Sequence, residues 1–204
     1  MNASNLQAVI RDLRRHGEYE AAAALLHGAI ARSDDRRELA DLYGMLGGTR
    51  RDQGNLVAAA AAYDTGATYE SGQESTYNAL NRLVTRIALD PDSLADAPQA
   101  VSSHPTLEAV DVPQGLADLQ AKLIQNRRSG DDDDFWIAGD LALTAALNGD
   151  VEVEAEALER FHTLSPPAFA YTKYAETFAL LAALDTHRQE ALRSAQRWME
   201  SRAG

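Results

Sequence analysis

The chain has 204 residues, 45% of them hydrophobic, and no cysteine. A sizeable core is therefore within reach, while disulfides, zinc-thiolate sites and thiol nucleophiles are excluded. The net charge of −12 is uneven, since residues 1–60 hold eight acids and eight bases whereas residues 61–204 hold 23 acids against 11 bases. An acidic surface repels nucleic acid and anionic membranes at long range, which disfavours phosphate binding anywhere but at the N-terminal arginines.

Met1-Asn2-Ala3 runs directly into a charged amphipathic stretch with neither a basic leader nor an apolar export segment. The longest apolar runs, Ala58 to Tyr63 and Phe178 to Leu184, are too short to span a membrane. A cytoplasmic protein is expected. Only Lys122 and Lys173 of the 19 basic residues are lysine.

Helical periodicity governs the pattern from the start. Leu6, Val9, Ile10 and Leu13 share one face, with Arg11, Arg14 and Arg15 opposite. Gly17 stops that helix and Ala21 to Ala31 begins the next, giving a hairpin over about 4–33. Leu39, Leu42, Tyr43 and Leu46 then lead to Gly54, and Ala58 to Ala67 supplies a second Ala-rich helix that ends near Gly72, a hairpin over 37–71. Tyr77, Leu80, Leu83, Val84 and Ile87 form the stripe of a further helix, with Ser75 as its N-cap and Asp90-Pro91-Asp92 at its end. Pro98, Pro105 and Pro113 make 92–113 a short helix followed by a loop, before helix returns over 114–126; the whole of 75–126 is irregular.

Asp131 to Asp134 give an acidic cap to the next helix, where the dipole favours negative charge. A hairpin over 135–165 follows, turning at Asn148-Gly149-Asp150, with Glu154 where such hairpins usually carry alanine. A last hairpin covers 169–202, and its charged, Trp198-containing final helix suits the cap of an open stack. The expected fold is all-α, a single stack of antiparallel helical hairpins over 1–204.

The internal repetition has a known counterpart. Tyr43, Leu46, Gly47, Gly54, Ala59, Tyr63 and Gly66 fall on the spacing of tetratricopeptide repeats, units of roughly 34 residues. Leu6, Val9, Ile10, Gly17, Ala22, Leu26 and Ala29 repeat it in the preceding unit. Small residues at those places let two helices approach closely, and the larger ones fill the space towards the next hairpin.

Tyr77-Asn78-Ala79-Leu80-Asn81, Asp134-Phe135-Trp136 and the helix from Phe169 to Leu184 resemble, more narrowly, the TRAFs-binding domain of apoptosis-signal-regulating kinases and many bacterial proteins. Ala79 departs from the glycine usual in that family. The resemblance implies a protein-binding scaffold without catalysis, often associated with signalling or defence effectors. Analogy with the repeat family also places Gln7, Arg11, Arg14, Arg15, Asp41 and Arg51 on the inner groove. Guanidinium groups there suit carboxylates, so an acidic protein or peptide partner is expected. The alternative for these arginines is a solvated face paired with Glu18, Asp12 or Asp52.

Catalytic and metal signals are weak. Asp90, Asp92 and Asp96 suggest a calcium loop, but Ala95 and Val101 stand where it needs glycine and glutamate. His16, His27, His104, His162 and His187 lack ligand spacing, and no serine sits in a nucleophile elbow. The expectation is a non-enzymatic scaffold with no cofactor or metal. A regulatory sensor with a small-ligand or nucleotide pocket at Tyr77, Asn81 and Trp136 is the second reading. The charge asymmetry also permits homo-oligomers.

Overall fold

Three of the helix reversals turn on glycines with positive φ. The computed structural model describes residues 3–70, 76–94, 104–128, 134–184 and 188–203. Among them are ten α-helices, a short 3-10 turn over Pro91–Leu94 and no β-strand. They fall into two compact units, Met1–Thr85 with His104–Leu107, and Arg86–Ser103 with Glu108–Gly204. Gly72, Ser75, Ala95, Asp96, Pro98, Val101, Asp131 to Asp133 and His187, each named above for a structural or chemical role, lie outside the described residues.

The first unit holds α1 (Ala3–Arg15), α2 (Tyr19–Ile30), α3 (Arg36–Asp52), α4 (Leu56–Tyr69) and the first part of α5 (Tyr77–Leu89). Gly17 and Gly54, at φ 75° and 81°, separate α1 from α2 and α3 from α4. At each turn two amides reach back to carbonyls the helix end would leave unpaired: Glu18 N to Leu13 O at 2.9 Å with Gly17 N to Arg14 O at 3.1 Å, and Asn55 N to Arg50 O at 2.9 Å with Gly54 N to Arg51 O at 2.9 Å. Asn55 then caps α4, its side-chain oxygen accepting from Ala58 N at 3.1 Å.

No atom lies within 4 Å of a Cβ added at Gly54, so the need for glycine there is one of backbone angle alone. Gly54→Ala is accordingly expected to cost about 1–2 kcal/mol, the penalty of a left-handed L-residue. A urea midpoint unmoved from that of the native chain would contradict the turn.

The core of this unit is Leu6 and Ile10 of α1 against Ala22, Ala23 and Leu26 of α2, Leu42 and Leu46 of α3, and Ala62 of α4. α3 packs most extensively on α4, because Gly47 leaves room for the wholly buried Tyr63 ring and Ala59, Ala60 and Ala62 offer no bulk. Gly44 makes the same allowance for Tyr77 and Asn78 of α5, and Gly66 for Asn78.

The second unit contains α6 (Val112–Arg128), α7 (Phe135–Asn148), α8 (Val151–Thr163), α9 (Ala168–Ala182) and α10 (Gln189–Glu200). The Gly17 turn recurs at Gly149, φ 75°, with Asp150 N to Ala145 O at 2.9 Å and Gly149 N to Ala146 O at 3.2 Å. Asp150 is the next cap, accepting from Val153 N at 3.2 Å. α7 is the central element, buried from Ala138 to Leu147 except at the part-exposed Asp140, with α6, α8 and α10 packed on it. Gln120 of α6 is pinned at the α7–α8 turn: its amide donates to Asp150 Oδ2 at 2.8 Å and its carbonyl accepts from Asn148 at 2.5 Å.

The sequence reading started α6 at residue 114, after Pro113, whereas the helix begins at Val112. Asp111 caps it, accepting from Gln114 N at 3.0 Å, and proline is tolerated in a first turn because no donor is needed there.

Candidate functional site

The last turn of α3 carries Arg50, Arg51 and Asp52, and each reaches a different helix of the first unit. Arg50 donates to Glu20 of α2 at 2.6 Å and Gln53 does so at 2.8 Å. Those two side chains hold the Glu20 carboxyl below the usual carboxylate range. Asp52 receives Nε and Nη2 of Arg14 from α1 at 2.9 and 2.6 Å. Arg51 donates to Asn81 of α5 at 2.8 Å, and Asn81 is itself fixed by donating to Tyr77 O at 2.8 Å. Basic side chains in a last helical turn are favoured by the helix dipole.

The sequence-derived groove residues therefore divide. Arg14 and Arg51 are part-buried members of this network, and the Arg14 guanidinium lies over Gly48, where a Cβ would stand 3.4 Å from its nitrogens. Arg15 is exposed and pairs loosely with Asp12 at 3.9 Å. Partly or fully exposed pairs of this kind contribute no more than about 1 kcal/mol each. Gln7, Arg11 and Asp41 are exposed. Although its surface is exposed, neighbouring protein partly desolvates the Asp41 carboxyl and raises it from its ordinary range; Arg37 opposes this, while Glu70, Asp35 and Glu38 add to it.

Tyr77, 48% exposed, and Asn81 stand at the start of α5 in the first unit, and Trp136 belongs to the second. Tyr77 rests on the gap left by Gly44 and meets the Tyr63 ring edge-on at 6.3 Å. Glu70 holds the start of α5 in place, its two oxygens accepting from Asn78 N at 2.6 Å and Ala79 N at 3.1 Å. The pairs Arg14–Asp52 and Arg15–Asp12 are ones the sequence offered as the alternative to a free groove, whereas sequence reasoning missed Glu70 and Glu20. A carboxylate that serves a helix other than its own leaves no local spacing signal.

In the second unit Trp136 lies in the first turn of α7, two residues after the Asp134 cap, which accepts from Trp136 N at 2.8 Å. Its ring lies 6.2 Å from Phe169 and 6.0 Å from Tyr174, both of α9. Tyr174 is locked by donating to Asp140 at 2.6 Å, and it fits because Gly139 has no Cβ to meet its ring. Among the described residues no group of three His, Asp or Glu side chains could hold a metal ion, and no helix is long and apolar enough to cross a membrane.

No protein-family model matches the chain, and no curated protein matches it either.

Proposed function

We propose that the chain is a protein-binding scaffold of tetratricopeptide type whose α1–α3–α5 face takes an acidic peptide segment. The repeat reading is supported by the sequence separation of contacts between neighbouring hairpins. Arg14 to Asp52 and Asn78 to Ala40 span 38 positions, and Tyr174 to Asp140 spans 34, close to the roughly 34 of one such repeat. The TRAFs-binding resemblance adds the expectation of a signalling or defence effector as partner.

One observation carries the binding reading: Arg14 of α1 is held by Asp52 and Arg51 of α3 by Asn81 of α5, with Arg11 and Arg15 exposed on α1. A guanidinium held in place loses little side-chain entropy on meeting a carboxylate, and its fork geometry can engage both carboxylate oxygens. Because Arg14 and Arg51 already serve the fold, Arg11 and Arg15 are the clean positions to test. A fluorescently labelled glutamate-rich peptide should bind at low ionic strength and release as salt rises. The pair Arg11→Ala and Arg15→Ala should weaken it about tenfold with the unfolding midpoint unchanged. An acidic peptide that fails to bind, or binds the variant equally well, removes the reading.

A further inference from the structure

The second unit presents an aromatic ledge of a different chemical character. Trp136 is 39% and Phe169 59% exposed, large values for the largest apolar side chains. Neither ring is loose. Phe135 backs Trp136 at 4.8 Å and itself meets the buried Phe161 at 6.1 Å, while Tyr174 supports Trp136 from α9. The surroundings are acidic: Asp134 is exposed at the head of α7 and Asp140 lies one turn beyond Trp136, bonded to Tyr174. Lys173, one turn beyond Phe169, donates to Glu176 at 3.0 Å. The unit as a whole carries twenty acidic residues against ten basic ones.

The same unit shows what such a ring takes. Trp198 of α10 carries the Arg202 guanidinium 4.0 Å above its ring centre, a cation held by the ring's negative face. Trp136 has the same kind of face, with a negative field around it, and among the described residues no cation stands over it.

We propose that the Trp136–Phe169 ledge is a docking site for an arginine-bearing segment of a partner protein. The guanidinium stacks on Trp136 within the field of Asp134 and Asp140, and the aliphatic stem of the same side chain covers Phe169. An apolar partner is disfavoured because covering the exposed Asp134 carboxylate would desolvate its charge without bringing an opposite one. This site is separate in chemistry from the arginine face of the first unit, and either can fail without the other.

The test uses the full chain and a short labelled peptide with a central arginine, beside the same peptide with citrulline, which keeps the shape and removes the charge. Fluorescence anisotropy should show the arginine peptide binding and the citrulline peptide binding about tenfold more weakly. Phe169→Ala and Trp136→Leu should each weaken the arginine peptide several-fold under conditions where circular dichroism shows both variants fully folded. In a Trp198→Phe background Trp136 is the sole tryptophan, and its emission should shift saturably with the arginine peptide. Equal binding of the citrulline peptide would overturn the proposal, as would binding indifferent to both ledge substitutions, which marks general attraction to an acidic surface.

Discussion

Gly47→Ala is expected to destabilise the first unit by about 2 kcal/mol, although alanine is the better helix former. In an open helix interior the exchange would gain roughly 1 kcal/mol. Here the added Cβ would stand 2.5, 2.6 and 2.7 Å from three ring carbons of Tyr63. Its neighbour is a rigid ring, wholly buried and held edge-on by Tyr77, so relief requires α3 and α4 to separate. Overpacking of this kind costs roughly 1–3 kcal/mol, and with so short an approach the upper end is expected to outweigh the propensity gain. Urea unfolding followed by far-ultraviolet circular dichroism measures it. Tyr63→Leu removes the ring, so Gly47→Ala added to that variant should cost far less than it does alone, a coupling a double-mutant cycle isolates. A Gly47→Ala protein as stable as the native chain would mean the two helices are not clamped through this contact.

The same contact shows what was legible in the sequence. Gly47 and Tyr63 stood out because one is too small and the other too large for a random amphipathic helix, and their separation matched a repeat. Gly17, Gly54 and Gly149 were legible for a similar reason: only glycine takes a left-handed turn without strain, and an N-cap residue follows directly at Asn55 and Asp150. Asp134 as a cap was legible from its place before an apolar run. The arginines were legible as a face and illegible as individuals. Whether Arg14 meets Asp52 or solvent depends on how α1 crosses α3, a quantity that no periodicity encodes. Glu70 is the sharpest case, since it satisfies the first amides of α5 from eight positions upstream, a meeting of two helices that no periodicity encodes.

Network and ledge divide the surface chemistry between the two units. In the first unit Arg14, Arg50 and Arg51 each stabilise a helix junction, and Arg11 and Arg15 stay exposed on α1. In the second unit the acids outnumber the bases two to one while two aromatic rings stay uncovered. A stack of hairpins produces such segregation readily, because each hairpin buries the same small and apolar positions and leaves its outward positions free to vary.

Glu154→Gln is expected to stabilise the second unit at neutral pH and to lose that advantage in acid. Glu154 sits in the first turns of α8, only 6% exposed, at the place where the repeat pattern puts alanine. Burial pushes its carboxyl up from 4.5 to about 6, because a low-dielectric setting penalises the charged form. The folded state therefore binds a proton more tightly than the unfolded chain, so this group's contribution to stability falls as pH rises from about 4.5 through 6 and stays low above. A rise of that size corresponds to a penalty on the order of 2 kcal/mol at pH 7. Glutamine keeps the shape and never ionises. Urea unfolding of both proteins across this range should show the variant ahead at pH 7 to 8 and the two converging near pH 4.5. A variant less stable than the native chain at pH 7 would mean that the ionised carboxylate is held by a partner in the fold, and the burial argument for Glu154 would fall.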